Sequence, residues 1–122
     1  MKRHYFTDYV PKEKYSILKP AIEYIHTNYY HKNIKVDELA KLCQITPEYF
    51  RDIFKRIYGS SPLKYINNLQ ITYAKQLLDS DAYNISEISA MLGFSDISQF
   101  SHKFKSVTGV SPTEYLNIKK NF

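Results

Sequence analysis

The chain is poor in the residues that break helices and in those that staple folds. Three glycines, Gly59, Gly93 and Gly109, and one cysteine, Cys43, occur in 122 residues. Apolar residues recur at helical spacing through most of the remainder and no segment alternates as a strand does, so the fold class is read as all-α. One thiol cannot close an internal disulfide. Cys43 lies in an apolar stretch and is expected to be a buried small hydrophobe in a reducing compartment, which favours the cytoplasm. No apolar run approaches the roughly 18 residues that span a bilayer. The opening residues, MKRHYFTD, lack the uninterrupted apolar core of a secretory signal, so neither membrane nor export is expected. No glycine-rich loop exists to cradle a phosphate, and no nucleophile motif is present. His4, His26, His31 and His102 show no metal-ligand spacing, and Cys43 has no second thiol with which to share an ion. Neither an enzyme, nor a metal, nor a cofactor is expected.

A concentrated basic face is also missing. The formal net charge is +5. Residues 1 to 35 hold seven Lys/Arg against three Asp/Glu, whereas residues 36 to 67 hold five against four and residues 85 to 117 two against three. A polyanionic partner therefore cannot be argued from net charge, which collects toward the start of the chain.

What is present is a repeat. Shifted by 50 residues, 46–67 falls on 96–117 with eight of 22 positions identical: Phe50 with Phe100, Phe54 with Phe104, Lys55 with Lys105, Gly59 with Gly109, Ser61 with Ser111, Pro62 with Pro112, Tyr65 with Tyr115, and Asn67 with Asn117. Upstream the shift becomes 49, pairing Val36 with Ile85, Glu38 with Glu87, Leu39 with Ile88, and Leu42 with Met91, so one residue has been gained in the second turn. Each copy reads as a short helix, a turn, and a longer helix ended by glycine. Asn84 caps the second short helix with Glu87 completing a capping box, whereas the first has Lys35 at that position and Asp37 and Glu38 near its start. Phe50, Ile53, Phe54 and Ile57 form one apolar stripe, answered by Phe100, Phe104 and Val107. Gly59 and Gly109 sit where a left-handed residue closes a helix. Ser61 and Ser111 then cap new helices, with Pro62 and Pro112 at the first position.

The expected organisation is a linker or flexible tail over 1–15, a first helix-turn-helix subdomain over 16–61, a linker helix over 62–79 and a second subdomain over 80–122. The first helix, about 16 to 30, carries a stripe of Leu18, Ala21, Ile22, Ile25 and Tyr29. The linker helix, about 27 Å long at 1.5 Å per residue, suits two helices that must reach successive major grooves about 34 Å apart.

In such units the second helix enters the major groove of double-stranded DNA. Off the apolar stripe stand Glu48, Tyr49, Arg51, Asp52, Lys55 and Arg56 in the first copy, and Ser98, Gln99, Ser101, His102, Lys103 and Lys105 in the second. Arginine suits guanine, glutamine adenine, serine either, and lysine the phosphates. A helical protein-interaction module would show the same periodicity, and the 12 tyrosines could stack on single-stranded bases. Against the last, Tyr65 and Tyr115 recur at equivalent positions and read as packing residues.

The run ISAMLGFSDISQFSHKFK from Ile88 to Lys105, followed by Gly109 and Ser111-Pro112, resembles the signature of the AraC/XylS family of bacterial transcription regulators, and the likeness extends over about residues 16 to 120. The resemblance implies seven helices in two helix-turn-helix subdomains, usually at the carboxyl end of a longer regulator that is often an activator recruiting RNA polymerase. An effector ligand would act only through a domain outside this chain. Carried over, base contacts fall on Glu48, Tyr49, Arg51 and Asp52, and on Ile97, Ser98, Gln99, Ser101 and His102. Phosphate contacts fall on Lys55, Arg56, Lys103 and Lys105. Two reading helices in one chain make a monomer sufficient for an asymmetric site. Two departures from the pattern stand out. Gln44 stands where the second turn has Gly93, and so is expected either to be left-handed or to shape its turn differently. Glu48 and Asp52 place acids on the reading face, where they could accept from cytosine amino groups or hold Arg51 and Arg56.

Overall fold

A computed structural model describes residues 12 to 121. It contains seven helices among them: α1 (Lys12–Asn28), α2 (Val36–Leu42), α3 (Pro47–Tyr58), α4 (Pro62–Asp79), α5 (Ile85–Met91), α6 (Ile97–Thr108) and α7 (Pro112–Lys120). None of them is long and apolar enough to cross a membrane.

The all-α expectation holds. Residues 1–11 of the expected tail lie outside the described residues. Its last four residues, however, belong to α1, which begins at Lys12 rather than near 16. The apolar stripe starts only at Leu18, but Lys-Glu-Lys-Tyr before it are adequate helix formers and extend the ladder upstream. Pro20 lies inside α1 on an exposed face, so its missing N–H falls on the side away from the core.

The described chain divides into two compact units, one of 12–27 and 34–65, the other of 28–33 and 66–121. In the first, the core comprises Leu18, Ala21 and Ile25 of α1, Ile34, Leu39 and Ala40 at α2, and Phe50, Ile53 and Phe54 of α3. In the second, Ile71, Ala74, Leu77 and Leu78 of α4 join Ile88, Leu92, Phe94, Phe100 and Phe104. Val107, assigned above to the apolar stripe, is exposed, lying beyond Phe104, the last residue of α6 in this cluster. Within each unit the repeated tyrosine packs edge-on against the repeated phenylalanine, Tyr65 on Phe54 with centroids 5.4 Å apart and Tyr115 on Phe104 at 5.6 Å. Their hydroxyls differ in partner, Tyr65 meeting His26 Nε2 at 2.8 Å and Tyr115 donating to Asp79 Oδ1 at 2.9 Å. Both are half-buried, and burial raises both hydroxyls above the usual tyrosine range, which keeps them neutral.

Candidate nucleic-acid interface

Local chemistry fixes where the longer helix of each unit starts and stops. In the first unit, Lys35 has the extended backbone of a cap but no capping side-chain bond, and only Glu38 reaches back, accepting from the Lys35 N–H at 3.1 Å. The following turn passes through Gln44 at φ 59°, the left-handed alternative of the two expected from sequence. Thr46 then accepts the Tyr49 N–H at 3.2 Å with Pro47 in the first helical position, and α3 ends at Gly59, φ 78°, whose N–H bonds the Lys55 carbonyl at 2.8 Å. Cys43, which caps α2, is half-buried rather than buried, because it stands at the helix end and not on its inner stripe. Burial still raises its thiol above the ordinary range, so it stays protonated and a poor nucleophile.

With Phe50 and Phe54 turned inward, Glu48, Arg51, Asp52, Lys55 and Arg56 are exposed on α3. Tyr49 is half-buried, its hydroxyl accepting from Lys14 Nζ. Of the two acids, Asp52 faces Arg56, Oδ2 to Nε 3.4 Å. Arg51 lies 3.8 Å from Asp37 at the start of α2, a partner that the sequence reading did not name. Glu48 occupies the first turn of α3, where a negative charge meets the positive end of the helix. Such exposed pairs contribute only about 0.2 to 1 kcal/mol each. Their effect is to bias where the two guanidinium groups point.

The second unit is built with fuller local support. Asn84 Oδ1 accepts from the Glu87 N–H and Glu87 Oε1 from the Asn84 N–H, both at 2.8 Å, closing the capping box read in the sequence. Gly93 has φ 84°. Buried Ser89 donates to the Asp96 carbonyl at 3.0 Å, fastening α5 to the entry of α6, and Asp96 Oδ1 accepts the Gln99 N–H at 2.9 Å. Neither Thr46 nor Asp96 was recognised from sequence as a cap. Thr-Pro, and an aspartate directly before an apolar residue, were the available signals.

Ile97, Ser98, Gln99, His102 and Lys105 are exposed on α6, while Ser101 and Lys103 are half-buried. Ser95 donates to Gln99 Oε1 at 3.2 Å, which leaves the amide N–H₂ of Gln99 to face outward. Lys103 is turned toward its own unit, its Nζ 3.5 Å from Asn33 Oδ1 and 5.2 Å from the Phe94 ring centre. Lys55 and Lys105 match in another respect, because each carbonyl takes the closing glycine N–H while the side chain stays exposed. A short helix, a left-handed turn and a capped second helix with an apolar inner stripe and a polar outer face make a DNA-binding helix-turn-helix unit. The chain contains two.

The helix-turn-helix domain family matches residues 39–118. The lactose operon transcription activator of Staphylococcus xylosus is 35% identical over 98 residues, covering 80% of this chain and 35% of that protein. Among solved structures, the C-terminal domain of AraT, a response regulator from Geobacillus stearothermophilus, superposes with TM-score 0.74 at 26% identity over 84% of each chain. The DNA-binding domain of AdpA, solved in complex with a target DNA, shares the fold with TM-score 0.70 at 23% identity, covering 84% of this chain and 94% of that one. The chain spans about a third of the length of the activator it matches. It belongs to the AraC/XylS family of helix-turn-helix transcription regulators, as a DNA-binding domain of that family, and its function is DNA binding in transcription regulation. The family is one of transcription regulators.

Proposed function

We propose that this domain reads a specific sequence of double-stranded DNA by placing α3 and α6 in the major groove at two half-sites of one asymmetric target, as a monomer. The observation that carries this reading is that two capped helices, each anchored by a phenylalanine pair, present their polar faces outward. In α3 the base-reading side chains are Glu48, Tyr49, Arg51 and Asp52, with Arg51 suited to guanine. In α6 they are Ile97, Ser98, Gln99, Ser101 and His102, with the outward amide of Gln99 suited to adenine and the exposed Ile97 to a thymine methyl. Lys55, Arg56 and Lys105 take the phosphates directly, and Lys103 does so on exchanging Asn33 for the DNA backbone. Similarity to an operon activator supports an activating role through contact with RNA polymerase in a cytoplasmic regulator, whose effector would bind a further domain.

Selection from random duplexes tests this. An asymmetric motif with two informative blocks is expected, and recovery of no enriched motif would refute specific reading. On the selected site, Arg51→Ala and Gln99→Ala each relax preference in one block only, costing about 1 to 3 kcal/mol, whereas Lys105→Ala weakens all sequences alike. Equal losses on every sequence from all three would refute the division of roles.

A further inference from the structure

Residues 28–33, the last residue of α1 and the five that follow it, belong to the second compact unit, against which they run as a short strap. Three observations tie this strap to the rest of the second unit. First, Gln70 of α4, a polar side chain with 0% exposure, donates from Nε2 to the Lys32 carbonyl at 2.8 Å. The opposite amide orientation would set oxygen against oxygen, so the carbonyl fixes which way Gln70 points. Second, the strap backbone lies directly against the turn between α5 and α6. A Cβ added to Gly93 would stand 2.8 Å from the His31 carbonyl oxygen, 3.0 Å from Lys32 Cα and 3.2 Å from the Asn33 nitrogen. Third, Asn33 Oδ1 accepts from Lys103 of α6 at 3.5 Å. Tyr29 and Tyr30 meanwhile pack edge-on against Tyr73 of α4, with centroids 6.2 and 6.3 Å apart.

We infer that Gln70 is a positioning residue for recognition of the second half-site, acting through the Lys32 carbonyl and the strap on the Gly93 turn and Lys103. Gln70 itself is buried and touches no DNA. It fixes the floor on which the turn rests, and the turn sets where α6 begins. A part-buried carbonyl that faces an apolar side chain in place of its donor loses that bond at a cost, so removing the amide displaces the strap rather than leaving it in place unbonded. Within the strap, the His31 and Lys32 N–H groups bond the Asn28 carbonyl at 3.2 and 3.0 Å, a single turn that carries a shift at Lys32 along to its neighbours. Movement there reaches the turn directly, because Gly93 has no side chain to cushion the contact.

The inference rests on the reading of α6 as a base-reading helix, and two measurements on Gln70→Met separate the two claims. Methionine has similar length and no donor. Amide hydrogen exchange without DNA is expected to quicken at Gly93, Phe94 and Ile97–Gln99 while α2 and α3 keep their rates. Binding to duplexes altered in one half-site at a time is expected to lose discrimination in the second half-site by about fivefold and to keep it in the first. Asn33→Ala, which removes only the acceptor for Lys103, acts in the same direction and less strongly. Unchanged exchange around Gly93, or equal quickening in both units, overturns the inference. So does quickened exchange with full discrimination, since Gln70 would then stabilise without positioning. A wild-type domain that prefers no sequence refutes the reading of α6, and the exchange pattern still decides whether Gln70 governs the turn.

Discussion

The two helix-turn-helix units solve one geometric problem with different local means, and the turns show it best. Both pass through a left-handed residue, Gln44 at φ 59° and Gly93 at φ 84°. Gln44 is exposed and has room for its side chain, whereas backbone of the strap lies within 3.2 Å of where a Cβ on Gly93 would be. The left-handed conformation alone therefore does not demand glycine. Close approach of a second backbone does. The same asymmetry recurs at the caps. Asn84 and Glu87 close a full box where Lys35 and Glu38 make half of one, and Ser111 and Glu114 close another where Ser61 accepts only the Lys64 N–H, at 3.2 Å. Its two bonds from Ser111 lower the Glu114 carboxyl below the usual range. Local hydrogen bonding thus specifies the second unit more completely than the first.

Gly93→Ala is the strongest way to break this comparison. The new methyl meets the His31 carbonyl in a conformation that already disfavours it, and a loss of about 3 kcal/mol is expected in urea unfolding. A loss below about 1 kcal/mol would mean that the strap yields freely. Next comes Asn84→Ala, which removes one side of the capping box and should cost about 1 kcal/mol. Its mirror image, Lys35→Asn, should stabilise by somewhat less, about 0.5 to 1 kcal/mol, because the Lys35 backbone at φ −101°, ψ 138° already suits a cap and Glu38 is in place to complete the box. If Lys35→Asn proves neutral while Asn84→Ala is costly, α2 is held by packing alone.

The sequence disclosed the repeat because the features that carry it are punctuation and bulk. Gly59 and Gly109, Ser-Pro at 61–62 and 111–112, and the phenylalanine pairs have few alternative readings, and all took their expected places. The start of α1 was less legible, since helix-forming polar residues carry no stripe to mark where the ladder begins. Of the candidate reading residues, the exposed ones follow from the spacing of their apolar neighbours. Partners distant in the chain did not follow. Asp37 meets Arg51 only because α2 folds against α3, and no short-range pattern connects them. Gln70 was least legible of all. A glutamine inside a helix reads as surface, and only the Lys32 carbonyl opposite explains why it is buried.

Gln44→Gly has the smallest expected effect and the most direct bearing on the turns. A non-glycine residue in the left-handed region costs about 1 to 2 kcal/mol. Glycine relieves that cost but gains freedom in the unfolded chain, which offsets about 0.5 to 1 kcal/mol of it. The net expectation is a stabilisation of about 0.5 kcal/mol, read as a shift of the urea midpoint with unchanged slope. Because Gln44 is exposed, little packing is lost. A destabilisation would show that its side chain supports the first turn, so that the first unit would possess a local prop of its own instead of lacking one.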